Sequence, residues 1–391
     1  MTRLATSWLV YRLTGSAVML GVAGFASQIP MFFLAPIAGV WVDRWDRQRT
    51  LVITQILSML QSLALAALTL AGVIRMWHII VLALAQGIIN AVDMPARQSF
   101  VVQMVERRED LSNAIALNSS MVNMARLIGP ALAGIVVAAV GEGWCFLLDG
   151  VSYIAVIVSL VMMRIERSEA RRAASSSLQQ LREGWGYVIE SRPIRSLLAL
   201  LGLVSLVGMP YTVLMPIFAQ KILHGGPHTL GFLMGASGVG ALAGAALLAR
   251  RSTVRGLGRR IALSAGLFGA ALIAFAVSRS LWLSLVILPF VGFGMMQQMA
   301  STNTILQTIV EDDKRGRVMA YYAMAFQGLT PFGSLFAGAL SDRIGAPGAV
   351  MVGAVLCIGG ALWFAAILPS LRKLVRPIYA RLGIIPEVTV P

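Results

Sequence analysis

The sequence has few charged residues for its length, and this scarcity excludes most classes of soluble protein. Only 13% of its 391 residues are Asp, Glu, Lys or Arg, whereas soluble domains carry roughly 25%. Hydrophobic residues make up 58% of the chain, and apolar runs of membrane-spanning length follow one another almost from end to end. No room is left for a separate soluble domain, so the composition indicates a membrane protein with many spans.

Cysteine and histidine are the scarcest reactive residues, with two and three, and the 17 acidic residues are outnumbered by 32 basic ones. The net charge of +15 does not indicate nucleic-acid binding, because the basic residues lie in short turns between apolar runs. Cys145 and Cys357 lie in or beside such runs without metal-ligand spacing, and we interpret them as small hydrophobic residues. Since no enzyme signature or nucleotide-binding loop is present, the sequence predicts neither an enzyme nor a cofactor or metal site.

The apolar runs predict an all-α membrane protein with eleven complete spans and one partial span. The complete spans cover residues 16–42, 50–73, 77–104, 112–140, 144–163, 194–221, 229–249, 260–277, 280–308, 317–340 and 347–368. The run LATSWLVY before them has about half the length that a span requires. We interpret it as the outer half of a first helix whose beginning is missing from this chain.

A polar segment divides the spans into two sets. We predict an N-terminal bundle over 1–163, a cytoplasmic linker with an amphipathic helix over 164–193, a C-terminal bundle over 194–368 and a basic cytoplasmic tail over 369–391. A weak internal repeat at a shift of 205 positions supports two related halves, and it aligns Asp93 with Gln298. Twenty-five Lys and Arg residues lie in one set of connections and five in the other, which predicts that both termini are cytoplasmic.

The turn after the second helix carries the densest cluster of charges. Residues 39–49 read GVWVDRWDRQR and join two apolar runs. This stretch resembles the signature between helices 2 and 3 of the Major Facilitator Superfamily, where the motif forms a cytoplasmic gate. The resemblance implies that gate role for five residues, namely Gly39, Asp43, Arg44, Arg47 and Arg49.

Further motifs extend the resemblance over essentially the whole chain. The stretch RLIGPALAG at 126–134, with Gly129, Pro130 and Gly134, resembles the helix 5 motif associated with antiporters. Four other stretches resemble the twelve-span branch that includes enterobactin and macrolide exporters. They are WLVYRLTGS at 8–16, PARQSF at 95–100, NAIALNS at 113–119 and RGRVM at 315–319. The resemblance implies two pseudo-symmetric six-helix bundles with the substrate near mid-membrane.

Ionisable residues within the predicted spans are candidates for proton coupling, because a charge at the bilayer centre costs at least about 2.5–3.5 kcal/mol. They are Asp93, Arg97, Arg126 and Asp149. Asp93 and Arg97 stand four residues apart and can pair, either as a structural or gate ion pair or as a proton or substrate site. Asp93 is also a candidate counter-charge for Arg126. Asp149 has no basic neighbour in sequence, so it is a candidate proton carrier; the alternative is a carboxyl held by a neighbouring helix.

Residues on helices 4, 7 and 10 are candidates for the substrate cavity: Asn90, Tyr211, Met295, Gln297 and Gln298. Methionine adapts to varied apolar ligands, although packing between helices is its commoner role. We therefore predict a monomeric inner-membrane transporter that exports a small amphipathic compound, such as a siderophore or drug, by proton antiport and binds no nucleic acid. The alternatives are a proton symporter or uncoupled facilitator of the same fold, or a truncated membrane protein that transports nothing.

Overall fold

The computed structural model describes residues 1–104, 110–163, 185–251 and 253–384. Within these ranges the regular structure is helical and contains no strand, which confirms the predicted all-α class. The first six helices are α1 (Thr2–Thr14), α2 (Ala17–Arg44), α3 (Arg47–Leu70), α4 (Met76–Gln103), α5 (Leu111–Val140) and α6 (Glu142–Met162). The 13 residues of α1 form about 20 Å of helix, which is shorter than a bilayer core of about 30 Å.

The second set of helices is more irregular than the first. Helix α7 runs through Arg192–Leu203, Val204–Gly208, Tyr211–Ile217 and Phe218–Ile222, of which Val204–Gly208 and Phe218–Ile222 are π-helical. It is followed by α8 (Pro227–Ala249), α9 (Leu257–Val277) and α10 (Leu281–Ile309). Helix α11 begins with Asp312–Ala323, passes through the π-helical Met324–Gly328 and continues into the helix Thr330–Arg381.

A glycine divides Thr330–Arg381 into the end of α11 and a separate helix, α12. Gly345 has φ 79° and ψ 161°, a conformation that interrupts the helix and that glycine adopts without a Cβ penalty. The predicted spans 317–340 and 347–368 fall on either side of this break, while α12 continues to Arg381. Within the described residues, nine helical stretches are long and apolar enough to cross a membrane, with α11 and α12 counted as one.

The side chains of α3 indicate whether these helices are surrounded by water or by lipid. Its buried side chains are mainly polar, namely Thr50, Thr54, Gln55, Ser58, Gln61 and Ser62. Its exposed side chains include Ile53, Leu57 and Leu60. In water the hydrophobic effect would bury the apolar face, whereas in hydrocarbon the polar groups must find partners inside the protein. The arrangement is that of a membrane helix with its polar face turned inward.

The chain divides into two compact units. Unit 1 takes the described parts of Met1–Ser177, Val213–Gly235 and Ser334–Asp342, and unit 2 those of Leu178–Thr212, Ala236–Gly333 and Arg343–Pro391. In unit 1, α3 packs against α4 and α6, and α2 packs against α4. In unit 2, α9 packs against α10. The predicted bundle boundaries stay a prediction.

Most of the predicted linker, residues 164–184, lies outside the described residues. Residues 185–190 form a short helix that belongs to unit 2. The ring of Trp185 lies 5.6 Å from the ring of Tyr321, and Lys314 Nζ lies 4.8 Å from the centre of the Tyr187 ring. These aromatic and cation–π contacts attach the end of the linker to α11.

Candidate functional site

Asp93 of α4 lies in a hydrogen-bonded cluster with two residues of α3. Its Oδ1 accepts from Thr54 Oγ1 and from Gln55 Nε2, each at 2.7 Å. Its Oδ2 accepts from Arg97 Nε at 3.2 Å and from Arg97 Nη2 at 3.0 Å. Charge-assisted bonds of this kind are short and directional, so both oxygens of the carboxylate are held in place.

The ion pair between Asp93 and Arg97 follows from their spacing, because residues four apart share one face of a helix. The side chain of Asp93 is 15% exposed and that of Arg97 is 51% exposed. The carboxylate therefore lies among the helices, and the guanidinium lies nearer the protein surface. The side chain of Arg126 lies outside the described residues, and its pairing with Asp93 stays a prediction. The part that Asp93 and Arg97 play in coupling or gating also stays a prediction.

Asp149 of α6 has a different environment. Its Oδ2 accepts a hydrogen bond from Ser62 Oγ of α3 at 2.9 Å, and within the described residues it forms no ion pair. A Cβ added at Gly150 would lie 2.8 Å from the side chain of Leu63 on α3. The small residue beside Asp149 therefore lets α6 approach α3 closely enough for this hydrogen bond.

Ser58 connects α3 with both of its neighbours in unit 1. Its Oγ accepts from Gln86 Nε2 of α4 at 3.4 Å, and the side chain of Tyr153 of α6 lies close to it. Gln86 Nε2 also donates to Asn90 Oδ1 at 3.1 Å. A further amide, Gln61, donates from Nε2 to the Leu82 carbonyl at 3.3 Å.

None of these residues of α3 was among the candidates predicted from the sequence. We call Thr54, Gln55, Ser58, Gln61 and Ser62 the α3 polar face. Their positions recur with helical spacing inside an otherwise apolar run, and a polar stripe in a membrane helix requires partners on neighbouring helices. That pattern was the signal by which the face could have been recognised.

The predicted gate lies at the junction of α2 and α3. Asp46 begins α3 as its N-cap, and its Oδ1 accepts from the backbone N–H of Arg49 at 3.0 Å. The 4.0 Å contact between the side chains of Arg49 and Asp46 is solvent-exposed and contributes little. The side chains of Asp43 and Arg44 lie outside the described part of the structure. The role of these two residues, with Gly39, Arg47 and Arg49, stays a prediction.

Gln48, which was not among the predicted gate residues, joins this turn to the end of α6. Its Nε2 donates to the carbonyl oxygens of Leu160 at 2.6 Å and Met163 at 2.9 Å. The last carbonyls of a helix have no partner within the helix, so a side-chain donor from another element satisfies them. The predicted gate turn is thereby attached to the C-terminal end of α6.

The helix 5 motif lies where α5 and α8 approach each other in unit 1. A Cβ added at Gly134 would lie 2.7 Å from the carbonyl oxygen of Pro227, and one added at Gly231 would lie 2.8 Å from the carbonyl oxygen of Pro130. Small residues at these positions let the two backbones touch. Gly129 is different, because an added Cβ would meet nothing within 4 Å among the described residues.

The five predicted cavity residues have separate surroundings. Asn90 is half-buried in unit 1, as is Met295 in unit 2. In unit 2, the hydroxyl of Tyr211 lies 2.9 Å from Ser237 Oγ, and Gln297 Nε2 donates to the Gly244 carbonyl at 2.9 Å. Gln298 is also buried. A role for these residues in substrate binding stays a prediction.

The helices and the inward polar face of α3 define the class: a multi-pass α-helical membrane protein. A bacterial homologue of the human lysosomal transporter Spinster, solved in an inward-facing and occupied conformation, is 16% identical with a TM-score of 0.65, covering 99% of this chain and 94% of that one. The nucleoside transporter NupG is 12% identical with a TM-score of 0.72, covering 94% and 95%. At such identities the likeness shows the fold alone.

The chain belongs to the Major Facilitator family described as transmembrane secretion effector, whose family model matches residues 1–377. It is 26% identical over 348 residues to the staphyloferrin A transporter of Staphylococcus aureus (strain NCTC 8325 / PS 47), covering 88% of this chain and 86% of that one. It is 27% identical over 355 residues to the multidrug efflux pump Tap of Mycolicibacterium fortuitum, again covering 88% and 86%. The protein is thus a membrane transporter of small molecules and not an enzyme.

Proposed function

We propose that this protein exports a small amphipathic compound, siderophore-like or drug-like, by proton antiport with alternating access. The observation that carries the proposal is the environment of Asp149, which has a hydroxyl donor and forms no ion pair within the described residues. Such a carboxyl can take up and release a proton without the cost of separating an ion pair inside the membrane. Proton entry would then supply the free energy for export.

The substrate class rests on the relatives. One relative is named for staphyloferrin A and another for multidrug efflux. Both names describe the movement of small compounds across a membrane, and the resemblance to enterobactin and macrolide exporters agrees with them. We therefore propose export in preference to import, with a siderophore or a lipophilic drug as the cargo.

The other predicted roles belong to the same proposal. Gly39, Asp43, Arg44, Arg47 and Arg49 form the cytoplasmic gate, and Asp93, Arg97 and Arg126 take part in proton coupling with Asp149. The substrate cavity is lined by Asn90, Tyr211, Met295, Gln297 and Gln298. The protein acts as a monomer in the inner membrane with both termini in the cytoplasm, because the connections on that side carry most of the Lys and Arg residues.

The test measures proton movement in inverted membrane vesicles that contain the full chain and hold an acidic interior. Addition of ethidium, a lipophilic cation, or of a catecholate siderophore is expected to collapse part of the pH gradient, as reported by a pH-sensitive dye. In Asp149→Asn the substrate-dependent collapse should fall at least about tenfold, since a group that must accept and donate the proton is gone. Ser159→Ala, which removes an exposed hydroxyl of α6, is the matched control.

Two results would contradict the proposal. If Asp149→Asn collapses the gradient as fully as the unaltered protein, Asp149 is not the proton carrier. If correctly inserted protein moves ethidium or the siderophore down its own gradient without any proton movement, the uncoupled facilitator replaces the antiporter.

A further inference from the structure

Two membrane carboxylates, Asp149 and Asp93, are hydrogen-bonded to the same helix. Ser62 of α3 donates to Asp149 at 2.9 Å, and Thr54 of α3 donates to Asp93 at 2.7 Å. Thr54, Ser58 and Ser62 stand four residues apart and share one face of the helix, so their hydroxyls rise in steps of about 6 Å. A row of three hydroxyls therefore covers the distance of about 12 Å between the two carboxylate contacts.

Ser58, in the middle of this row, lies between side chains of α6 and α4. Tyr153, which stands one turn after Asp149 on α6, lies close to Ser58. On the other side, Gln86 of α4 donates to Ser58 Oγ at 3.4 Å and holds it in place.

The row is also shielded from lipid and spaced for proton transfer. Thr54, Ser58 and Ser62 are all buried. Hydroxyls about 6 Å apart lie beyond the roughly 5.6 Å that two hydrogen bonds through one water reach, so two bridging waters between neighbouring hydroxyls complete the row. Gln61, on the same face, has a buried Oε1 with no hydrogen-bond partner among the described residues, and it is an acceptor for such a water.

We propose that the hydroxyl row of α3, together with Tyr153, carries protons between Asp149 and Asp93 inside unit 1. This inference rests on the proposed function, because only a proton-coupled transporter needs such a path. It assigns a direct part in coupling to Thr54, Ser58, Ser62 and Tyr153.

One transfer moves one proton and no electrons. The O–H bond of the protonated Asp149 carboxyl breaks, each hydroxyl or bridging water accepts a proton from one side and gives up its own to the other, and a new O–H bond forms on Asp93. Asp149 ends as a carboxylate, and every hydroxyl regains its proton. A neutral Asp93 attracts Arg97 less strongly, so arrival of the proton weakens the 3.0 Å ion pair on α4.

A purely structural polar face would have different requirements. Helix packing needs only that buried polar groups are satisfied, whereas a relay needs O–H groups that both accept and donate a proton. The amides Gln55, Gln61 and Gln86 can position the row but cannot pass protons along it. Removal of single hydroxyls therefore separates the two roles.

The experiment uses the full chain in proteoliposomes, with ethidium as the transported probe and two readouts: ethidium-driven proton flux, and exchange of labelled ethidium without a pH gradient. Tyr153→Phe and Ser58→Ala should each lower proton flux at least about tenfold while exchange stays within about twofold. Ser58→Thr keeps a hydroxyl and should retain the flux. Ser159→Ala removes an exposed hydroxyl of α6 and should change neither readout.

A second measurement requires no transported compound. Time-resolved infrared spectroscopy of the purified chain after a pH jump follows protonation of carboxyl groups, with Asp93→Asn and Asp149→Asn used to identify the bands. In the unaltered protein the two bands should change together, and in Tyr153→Phe the Asp93 band should lag by at least about tenfold.

The outcomes separate the two proposals. Proton flux in Tyr153→Phe and Ser58→Ala within about twofold of the unaltered protein would overturn the relay and leave the antiporter standing. Absence of proton flux in the unaltered protein with ethidium would count against antiport of that compound. Equal protonation rates in Tyr153→Phe and the unaltered protein would overturn the relay in either case.

Discussion

The helices of unit 1 are joined by hydrogen bonds between polar side chains, whereas the corresponding helices of unit 2 pack through close backbone contacts. In unit 1 the α3 polar face binds two carboxylates, Asp93 and Asp149. At the internal shift of 205 positions, the residues that correspond to Ser58, Asp93, Asp149 and Tyr153 are Leu263, Gln298, Ala354 and Ile358. The second half has therefore replaced both carboxylates, the serine and the tyrosine by neutral or apolar side chains.

Helix α9, which corresponds to α3 at this shift, packs against its neighbours through close backbone contacts. A Cβ added at Gly294 of α10 would lie 2.8 Å from the Ser264 carbonyl oxygen of α9. One added at Gly269 of α9 would lie 2.8 Å from the Ala354 carbonyl oxygen of α12. Small residues permit this packing without hydrogen-bonded side chains. At the four positions compared, only the first half carries carboxyl, hydroxyl and phenol groups, which are the groups that the proposed relay requires.

The largest effect is expected from Asp93→Gln, which gives the first half the residue that the second half has at the matching position, Gln298. Asp93→Gln removes the carboxylate that binds Thr54 and Arg97 and leaves the guanidinium without its partner on α4. Ethidium-driven proton flux in proteoliposomes should fall at least about fiftyfold, because an amide cannot receive the proton that the proposed relay delivers to Asp93. Val355→Ala, which shortens an exposed side chain of α12 in unit 2, should keep flux within about threefold. Similar losses in both variants would break the comparison.

An intermediate effect should come from the close packing of unit 2. Gly294→Ala forces α9 and α10 apart, and we expect the free energy of unfolding in detergent to fall by about 1–3 kcal/mol. Gly266→Ala is the matched control on α9, because its Cβ would lie 3.8 Å from Ala361 Cβ, an ordinary contact. Calorimetric or fluorescence unfolding of both variants measures the difference, and equal stabilities would contradict the packing account.

The smallest effect compares two buried amides. Gln55→Met removes a donor at 2.7 Å from Asp93 and should lower the free energy of unfolding by about 1–2 kcal/mol. Gln298→Met should leave it unchanged or raise it by up to about 1 kcal/mol, because the change removes a buried donor that has no partner. The Nε2 of Gln298 is buried and has no hydrogen-bond partner within the described part of the chain. A larger loss in Gln298→Met than in Gln55→Met would reverse the comparison.

The sequence by itself determined the helices and the membrane class. The apolar runs located most described spans to within about one turn, because a membrane helix satisfies its own backbone and needs only local apolar residues. The predicted ends of α2 and α3 show this agreement. The exceptions are the last two spans, whose helices begin at Asp312 and continue to Arg381. Local spacing also determined the ion pair between Asp93 and Arg97, since residues four apart on a helix are neighbours in any tertiary arrangement.

Only the tertiary structure decided which groups meet across helices. Asp149 accepts from Ser62, which lies far away in sequence, and Gln48 donates to the end of α6. Periodicity predicts which face of a helix is polar, but it contains no information on the rotation and register of one helix against its neighbour. That register depends on close contacts such as the one between Gly150 and Leu63, and these contacts set which hydroxyl reaches Asp149.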